Sequence, residues 1–280
     1  MAESLFVTRH WLAANLKKPD LCILDARMLP PGYSGPRNIE QEFSAAHLPN
    51  AAFFNIEALS DTRSPYPHML LPPAEFAGAM SELGVNHRQQ VIIYDEGTLF
   101  SAPRAWWMLR NAGVERVSLL AGGLAAWQRE GRPLEQGAVT PLRQHFESSP
   151  DQSQVRSLQE MQRIVEQGTA QIVDARSAER FTAQAPEPRP GLRRGHIPGS
   201  LNLPWNELVR EGCLKPAAEL QARFEQAGVD LERPIVASCG SGVTAAVLLL
   251  ALTELGANNL ALYDGSWGEW GSRNDLPVAP

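Results

Sequence analysis

Ile235-Val236-Ala237-Ser238 is a short, mostly apolar run that ends on Cys239-Gly240-Ser241-Gly242-Val243-Thr244, after which an apolar stretch begins at Ala245. A cysteine at the end of a strand, followed by a glycine-rich turn entering a helix, suits a sulfur nucleophile. In open α/β sheets, ligands bind beyond the carboxyl ends of the strands, where this cysteine falls. Successive backbone N–H groups in a tight turn form an anion-binding nest. The helix N-terminus adds about half a positive charge. Both effects favour thiolate over thiol and predict a lowered cysteine pKa. Gly240 and Gly242 let the backbone curl round the sulfur without side-chain obstruction. The other two cysteines lack this setting. Cys22 sits inside Leu21-Cys22-Ile23-Leu24 and reads as a core strand residue, and Cys213 lies between Gly212 and Leu214 in a loop. Three scattered cysteines make neither a disulfide framework nor a zinc site, so no metal and a reducing compartment are expected.

The elements that must hold Cys239 are legible around it. Ser157-Leu158-Gln159-Glu160 is a capping box opening a helix that stops at Gly168. A strand over Gln171–Val173, a helix from Pro216 to Ala227 and a strand over Pro234–Ala237 follow. A helix from Val243 to Leu255 and a strand over Leu260–Tyr263 complete the half. The first half repeats the alternation, with strands near 21–24, 91–94 and 117–120. Short apolar strands alternating with helices predict an α/β fold with a mostly parallel sheet flanked by helices.

The alternation occurs twice because the chain is a duplication. Leu24-Asp25-Ala26-Arg27 recurs as Val173-Asp174-Ala175-Arg176, and His47-Leu48-Pro49-Asn50-Ala51 as His196-Ile197-Pro198-Gly199-Ser200, both 149 positions on. Gly122-Gly123-Leu124-Ala125-Ala126-Trp127 resembles Gly265-Ser266-Trp267-Gly268-Glu269-Trp270, 143 positions on. Two tandem domains are expected over 1–135 and 156–280, joined by a Pro/Gly-rich polar linker over 136–155. At the 143 offset, Glu96 stands where the second copy has Cys239. The first copy is therefore expected to be no sulfur nucleophile, and to form one wall of an interdomain cleft.

Composition narrows the function classes. The 280 residues carry 25 Lys+Arg against 31 Asp+Glu, a net charge of −6, and no basic stripe that would suit a nucleic acid. The longest apolar run, Ala245–Leu252, falls far short of the roughly 20 residues a membrane span needs. Residues 1–10 show no basic start followed by an apolar stretch, so no secretory signal, and a cytoplasmic location, are expected. Neither a Walker-type loop nor a dinucleotide fingerprint occurs, so no cofactor is expected. His47 and His196 recur in both copies and read as structural hydrogen-bonders. Asp25 and Asp174 read as ion-pair partners of Arg27 and Arg176, and Trp106, Trp107, Trp127 and Trp270 as core.

The duplicated Asp-Ala-Arg and His-x-Pro elements, the Cys239–Thr244 loop and Tyr263-Asp264-Gly265-Ser266-Trp267-Gly268-Glu269-Trp270 together resemble the two-domain rhodanese-like sulfurtransferases. The likeness covers nearly the whole chain. It implies that Cys239 takes sulfur from a donor as a persulfide, stabilised by the N–H groups of Gly240, Ser241, Gly242, Val243 and Thr244. It also implies that Arg180 and Arg189 bind the donor's carboxylate and carbonyl. A Ser–His–acid relay maps onto Ser241, His68 and Glu57, with Glu57 where the family usually has Asp. Members that use thiosulfate carry basic residues just after the cysteine. The neutral loop here is similar to that of members using 3-mercaptopyruvate, whose single carboxylate asks for a clamp and a proton source. Thiosulfate is the alternative donor, and a non-catalytic sulfur-sensing module the alternative class. Cyanide, a thiol or thioredoxin would accept the sulfur. Phosphatases of this fold need an Arg six positions after the cysteine, and here Ala245 stands there.

Overall fold

The structure, a computed structural model, describes residues 4–280. Residues 1–3, which open the expected first domain and the stretch read for a secretory signal, lie outside the described residues. By contacts the chain forms two units, Met1–Ser60 with Leu71–Asp151 and Glu211–Cys213, and Asp61–Leu70 with Gln152–Arg210 and Leu214–Pro280.

The first unit runs β1 (Phe6–Val7), α1 (Arg9–Asn15), β2 (Leu21–Asp25), α2 (Ile39–Ala45), β3 (Ala51–Phe53), α3 (Pro73–Glu82), β4 (Gln90–Tyr94), α4 (Ala102–Asn111), β5 (Val117–Leu120) and α5 (Gly123–Arg129). The strands pair in the order β1-β5-β4-β2-β3, all parallel. Parallel strands covered on both faces read as continuous apolar runs, as Val91-Ile92-Ile93 does. The core gathers Leu12, Ile23, Phe43, Leu48, Ile92, Tyr94 and Trp127.

The second unit runs β6 (Val155–Arg156), α6 (Leu158–Gln167), β7 (Gln171–Asp174), α7 (Ala178–Phe181) and β8 (Leu201–Asn202). After a two-stranded ribbon, β9 (Val209–Arg210) and β10 (Cys213–Leu214), of which Cys213 groups with the first unit, come α8 (Ala217–Gln226), β11 (Ile235–Ser238), α9 (Ala245–Glu254), β12 (Leu260–Tyr263) and α10 (Ser266–Trp270). Its sheet order, β6-β12-β11-β7-β8, repeats the first strand for strand. The expected α/β architecture is present twice. The Ser157–Glu160 capping box forms, and Gly168 closes α6 in the left-handed region at φ 65°. α9 is apolar all round because Ala245–Leu252 is buried on every face.

Two segments depart from the sequence expectation. The polar stretch read as linker packs with the first unit up to Asp151. Phe146 is buried there and stacks on His87 at 4.6 Å, while Gln144 N–H donates to the Ser81 carbonyl. One aromatic anchor outweighs the Pro/Gly composition around it. Asp61–Leu70, from the first half of the chain, groups with the second unit.

The recurring residues do the framework work expected of them. Arg27 and Arg176 pair with Asp25 and Asp174 and each donates to a backbone carbonyl, Ala46 and Gly195, at equivalent places. His47 stacks on Phe43 and His196 on Phe181, and each ring's Nδ1 bonds that Phe's carbonyl. Trp106, Trp107, Trp127 and Trp270 are all buried. Among the described residues no helix is long and apolar enough to cross a membrane, and no cluster of His, Cys, Asp or Glu could hold a metal ion.

Candidate active site

β11 delivers Cys239 at its carboxyl end, and the chain then turns through Gly240-Ser241-Gly242 into α9. Gly242 adopts φ 78°, which a Cβ would disfavour, and its N–H points at Cys239 Sγ at 3.1 Å. The Cys239 residue is 2% exposed. α10 holds the loop from the other side, because Trp267 N–H donates to the Cys239 carbonyl and Gly268 N–H to that of Gly240, both at 2.9 Å. Ser266 opens α10 in the left-handed region at φ 49°. Its Oγ accepts the Cys239 N–H at 3.2 Å and donates to the Tyr263 carbonyl. A fully buried non-glycine residue held there stores strain, and its hydroxyl satisfies the cysteine's own N–H.

His68 and Ser241 meet. Their side chains, 173 positions apart in sequence, approach to 2.7 Å between Nδ1 and Oγ, and both residues are buried. The excursion that carries His68 is tied to the second unit by Leu70 N–H donating to Asp264 Oδ2 at 2.7 Å. Pro67 also packs so closely on Gly268 that a Cβ there would lie 3.2 Å from its ring. This is why His68 groups with the cysteine-bearing unit.

Both predicted arginines reach the loop. A Cβ built on Gly240 would sit 3.1 Å from Arg180 Nη2 and 4.0 Å from Arg189 Nη1, so glycine leaves room for the two guanidinium groups. α7 carries Arg180, whose fork is held by Glu187, with Oε2 accepting from Nη2 at 2.5 Å. Glu57 belongs to the first unit. It is exposed, with its N–H donating to Asn55 Oδ1, and it lines a cavity of about 380 Å³ beside Arg27, Asn38, Glu40 and Phe53.

The equivalent turn of the first unit is filled by a carboxylate. β-ladder register pairs Tyr94 with Asp25 and Ser238 with Asp174, so Cys239 corresponds to Asp95, and Glu96 to Gly240. The 143 offset therefore misplaces Glu96 by one residue, because the gap between the copies closes after this turn. Asp95 is buried, and its carboxylate accepts the N–H groups of Gly97 (2.8 Å), Leu99 (3.3 Å), Ser101 (3.2 Å) and Ala102 (3.3 Å). Glu96 pairs with Arg37. The remaining cysteines are poor nucleophiles. Burial pushes the Cys22 thiol up to about 12 and also raises that of Cys213, which lies in β10 rather than in a loop.

The rhodanese-like domain family matches the chain twice, at 8–130 and 157–273. The chain belongs to the rhodanese-like family. The 3-mercaptopyruvate sulfurtransferase of Escherichia coli K12 is 56% identical over 280 residues, covering all of this chain and 99% of that protein. The mitochondrial thiosulfate/3-mercaptopyruvate sulfurtransferase 1 of Arabidopsis thaliana is 40% identical, over 97% of this chain and 77% of its own length. The crystal structure of SseA from Escherichia coli superposes with a TM-score of 0.88 at 54% identity, covering 95% of this chain and 99% of that one.

Within this rhodanese-like chain, sequence reasoning missed Ser266, Asp264, Asp95 and Glu187. Aligning the two copies shows the first, since Ser266 stands where the first copy has Gly123 at φ 55°. Only the β register exposes Asp95. Asp264 and Glu187 carried no signal, because a carboxylate in a loop looks solvated until its burial is known.

Proposed function

We propose that this rhodanese-like chain is a 3-mercaptopyruvate sulfurtransferase whose C-terminal copy, with Cys239, carries the chemistry. The observation that supports this best is Cys239 Sγ under the Gly242 N–H, in a neutral loop approached by two arginines and closed by the Ser241–His68 hydrogen bond. The Cys239 thiolate attacks the donor sulfur. An S–S bond forms as the donor's C–S bond breaks, and the bonding pair leaves on carbon as pyruvate enolate. The enolate takes up a proton to give pyruvate, and Ser241 and His68, with Glu57 as the acid partner, serve that transfer. The N–H groups of Gly240, Ser241, Gly242, Val243 and Thr244 face the charge on the outer sulfur as an oxyanion hole faces oxygen. Arg180 and Arg189 hold the carboxylate and carbonyl, work that suits a planar fork of donors. Cyanide or a thiol then attacks the outer sulfur and returns the Cys239 thiolate. The scheme needs no cofactor. Thioredoxin is one protein thiol that fits this acceptor role, and the cytoplasm is the proposed compartment. The net charge of −6 argues against a nucleic-acid partner, and no membrane partner is proposed.

The test is kcat/KM for 3-mercaptopyruvate and for thiosulfate, with one common acceptor. A preference of about tenfold or more for mercaptopyruvate, about 1.4 kcal/mol of transition-state discrimination, is expected. A preference for thiosulfate would keep the nucleophile and overturn the donor. Arg189→Ala is expected to weaken mercaptopyruvate binding by about 1.5–3 kcal/mol, seen as a raised KM with an unchanged far-UV spectrum. An unchanged KM would remove Arg189 from the donor site.

A further inference from the structure

The loop after α7 carries Pro186, Pro188 and Pro190, all exposed, yet the Glu187 side chain between them is only 2% exposed. A buried carboxylate is retained only with partners, and this one has two guanidinium groups. Oε1 accepts from Arg176 Nη1 at 2.8 Å and from Arg180 Nε at 3.3 Å, while Oε2 accepts from Arg180 Nη2. Arg176 is framework, since it pairs with Asp174 and the Gly195 carbonyl as Arg27 does with Asp25 and the Ala46 carbonyl. Glu187 uses that framework as its anchor. From there it grips the Nε/Nη2 edge of Arg180 and aims Nη2 at Gly240.

The duplication supplies an internal control. Phe43 and Phe181 stack on the equivalent His47 and His196, so Arg180 corresponds to Glu42, and the loop carrying Glu187 and Arg189 follows its helix where the first copy's loop precedes it. The Asp–Arg pair is kept in both copies. In the first copy the Arg–Glu pair is reversed, with Glu42 on the helix and Arg37 on the loop, and Arg37 also pairs with Glu96, which stands at the Gly240 position.

We infer that Glu187 is the positioning residue of the donor site, holding Arg180 so that its guanidinium faces the loop before the donor arrives. A fork fixed on folding loses little freedom on binding, which favours affinity. This role rests on the reading of Arg180 as a donor contact.

Steady-state kinetics of the full chain with 3-mercaptopyruvate and one acceptor test it. Wild type would be compared with Arg180→Ala, Glu187→Gln, Glu187→Asp and the Arg180→Ala/Glu187→Gln double variant. Glu187→Gln turns an amide NH2 toward a guanidinium that needs an acceptor, and is expected to raise KM about tenfold while moving kcat far less. Glu187→Asp keeps the charge on a shorter arm and should fall between, and it carries the test if the Gln variant fails to fold. In the Arg180→Ala background, Glu187→Gln should change KM by less than about twofold, because its effect passes through Arg180. Wild-type KM in both Glu187 variants, or an equal factor with and without Arg180, would overturn the positioning role alone. Arg180→Ala with wild-type KM would overturn the donor-contact reading, and the positioning role with it.

Discussion

Cys239→Ser drops sulfur transfer by about 10⁴-fold or more, the scale seen when an essential nucleophile is removed, while the far-UV spectrum and thermal transition stay those of the wild-type chain. The chemical half follows from the atom replaced. A serine hydroxyl is a far weaker nucleophile than a thiolate, and its oxygen forms no persulfide. The structural half follows from the contacts. The Cys239 backbone N–H and C=O are held by Ser266 and Trp267, neither of which touches the sulfur in those bonds, and the hydroxyl can still accept the Gly242 N–H. Mass spectrometry after donor exposure should show a gain of about 32 Da on the wild-type cysteine and none on the variant. Retained turnover in Cys239→Ser would remove Cys239 from the mechanism. Turnover lost together with the thermal transition would instead make the cysteine a packing residue.

Asp95→Ala is expected to do the opposite at the equivalent turn: destabilise the first unit without touching a reacting group. Four backbone N–H groups converge on that buried carboxylate. Truncation leaves them without their acceptor in a site closed by packing, and each unsatisfied buried donor costs about 1–3 kcal/mol. Allowing for partial relaxation, a loss of about 3 kcal/mol is expected, lowering the first thermal transition by about 10 °C. A wild-type transition in Asp95→Ala would mean that the turn closes without its carboxylate. The contrast between the two variants has one physical origin. Each turn aims backbone N–H groups at the residue that opens it, four at the Asp95 carboxylate in the first unit and that of Gly242 at Cys239 Sγ in the second.

Much of this was legible locally. Alternating apolar runs and helix caps predict α/β, and Ser157 and Gly168 mark the ends of α6 where they stand. The constant 149 spacing exposes the duplication without any contact being known. The Cys239–Thr244 turn is read from neighbours in sequence, because glycine freedom and helix dipoles act within a few residues. The motif resemblance names Ser241, His68, Arg180 and Arg189, and each is found at or beside the loop.

Periodicity and residues adjacent along the chain specify the two α/β copies, the Cys239–Thr244 turn and the family. Tertiary structure alone decided that Asp61–Leu70 packs with the cysteine-bearing unit. It also decided that Asp95 rather than Glu96 fills the first turn, that Ser266 holds the cysteine's N–H, and that Glu187 is buried between two arginines. Each of these is a matter of which groups lose water together. Burial and hydrogen bonding across long separations are set by packing, and a carboxylate or hydroxyl carries no mark of it in its neighbours.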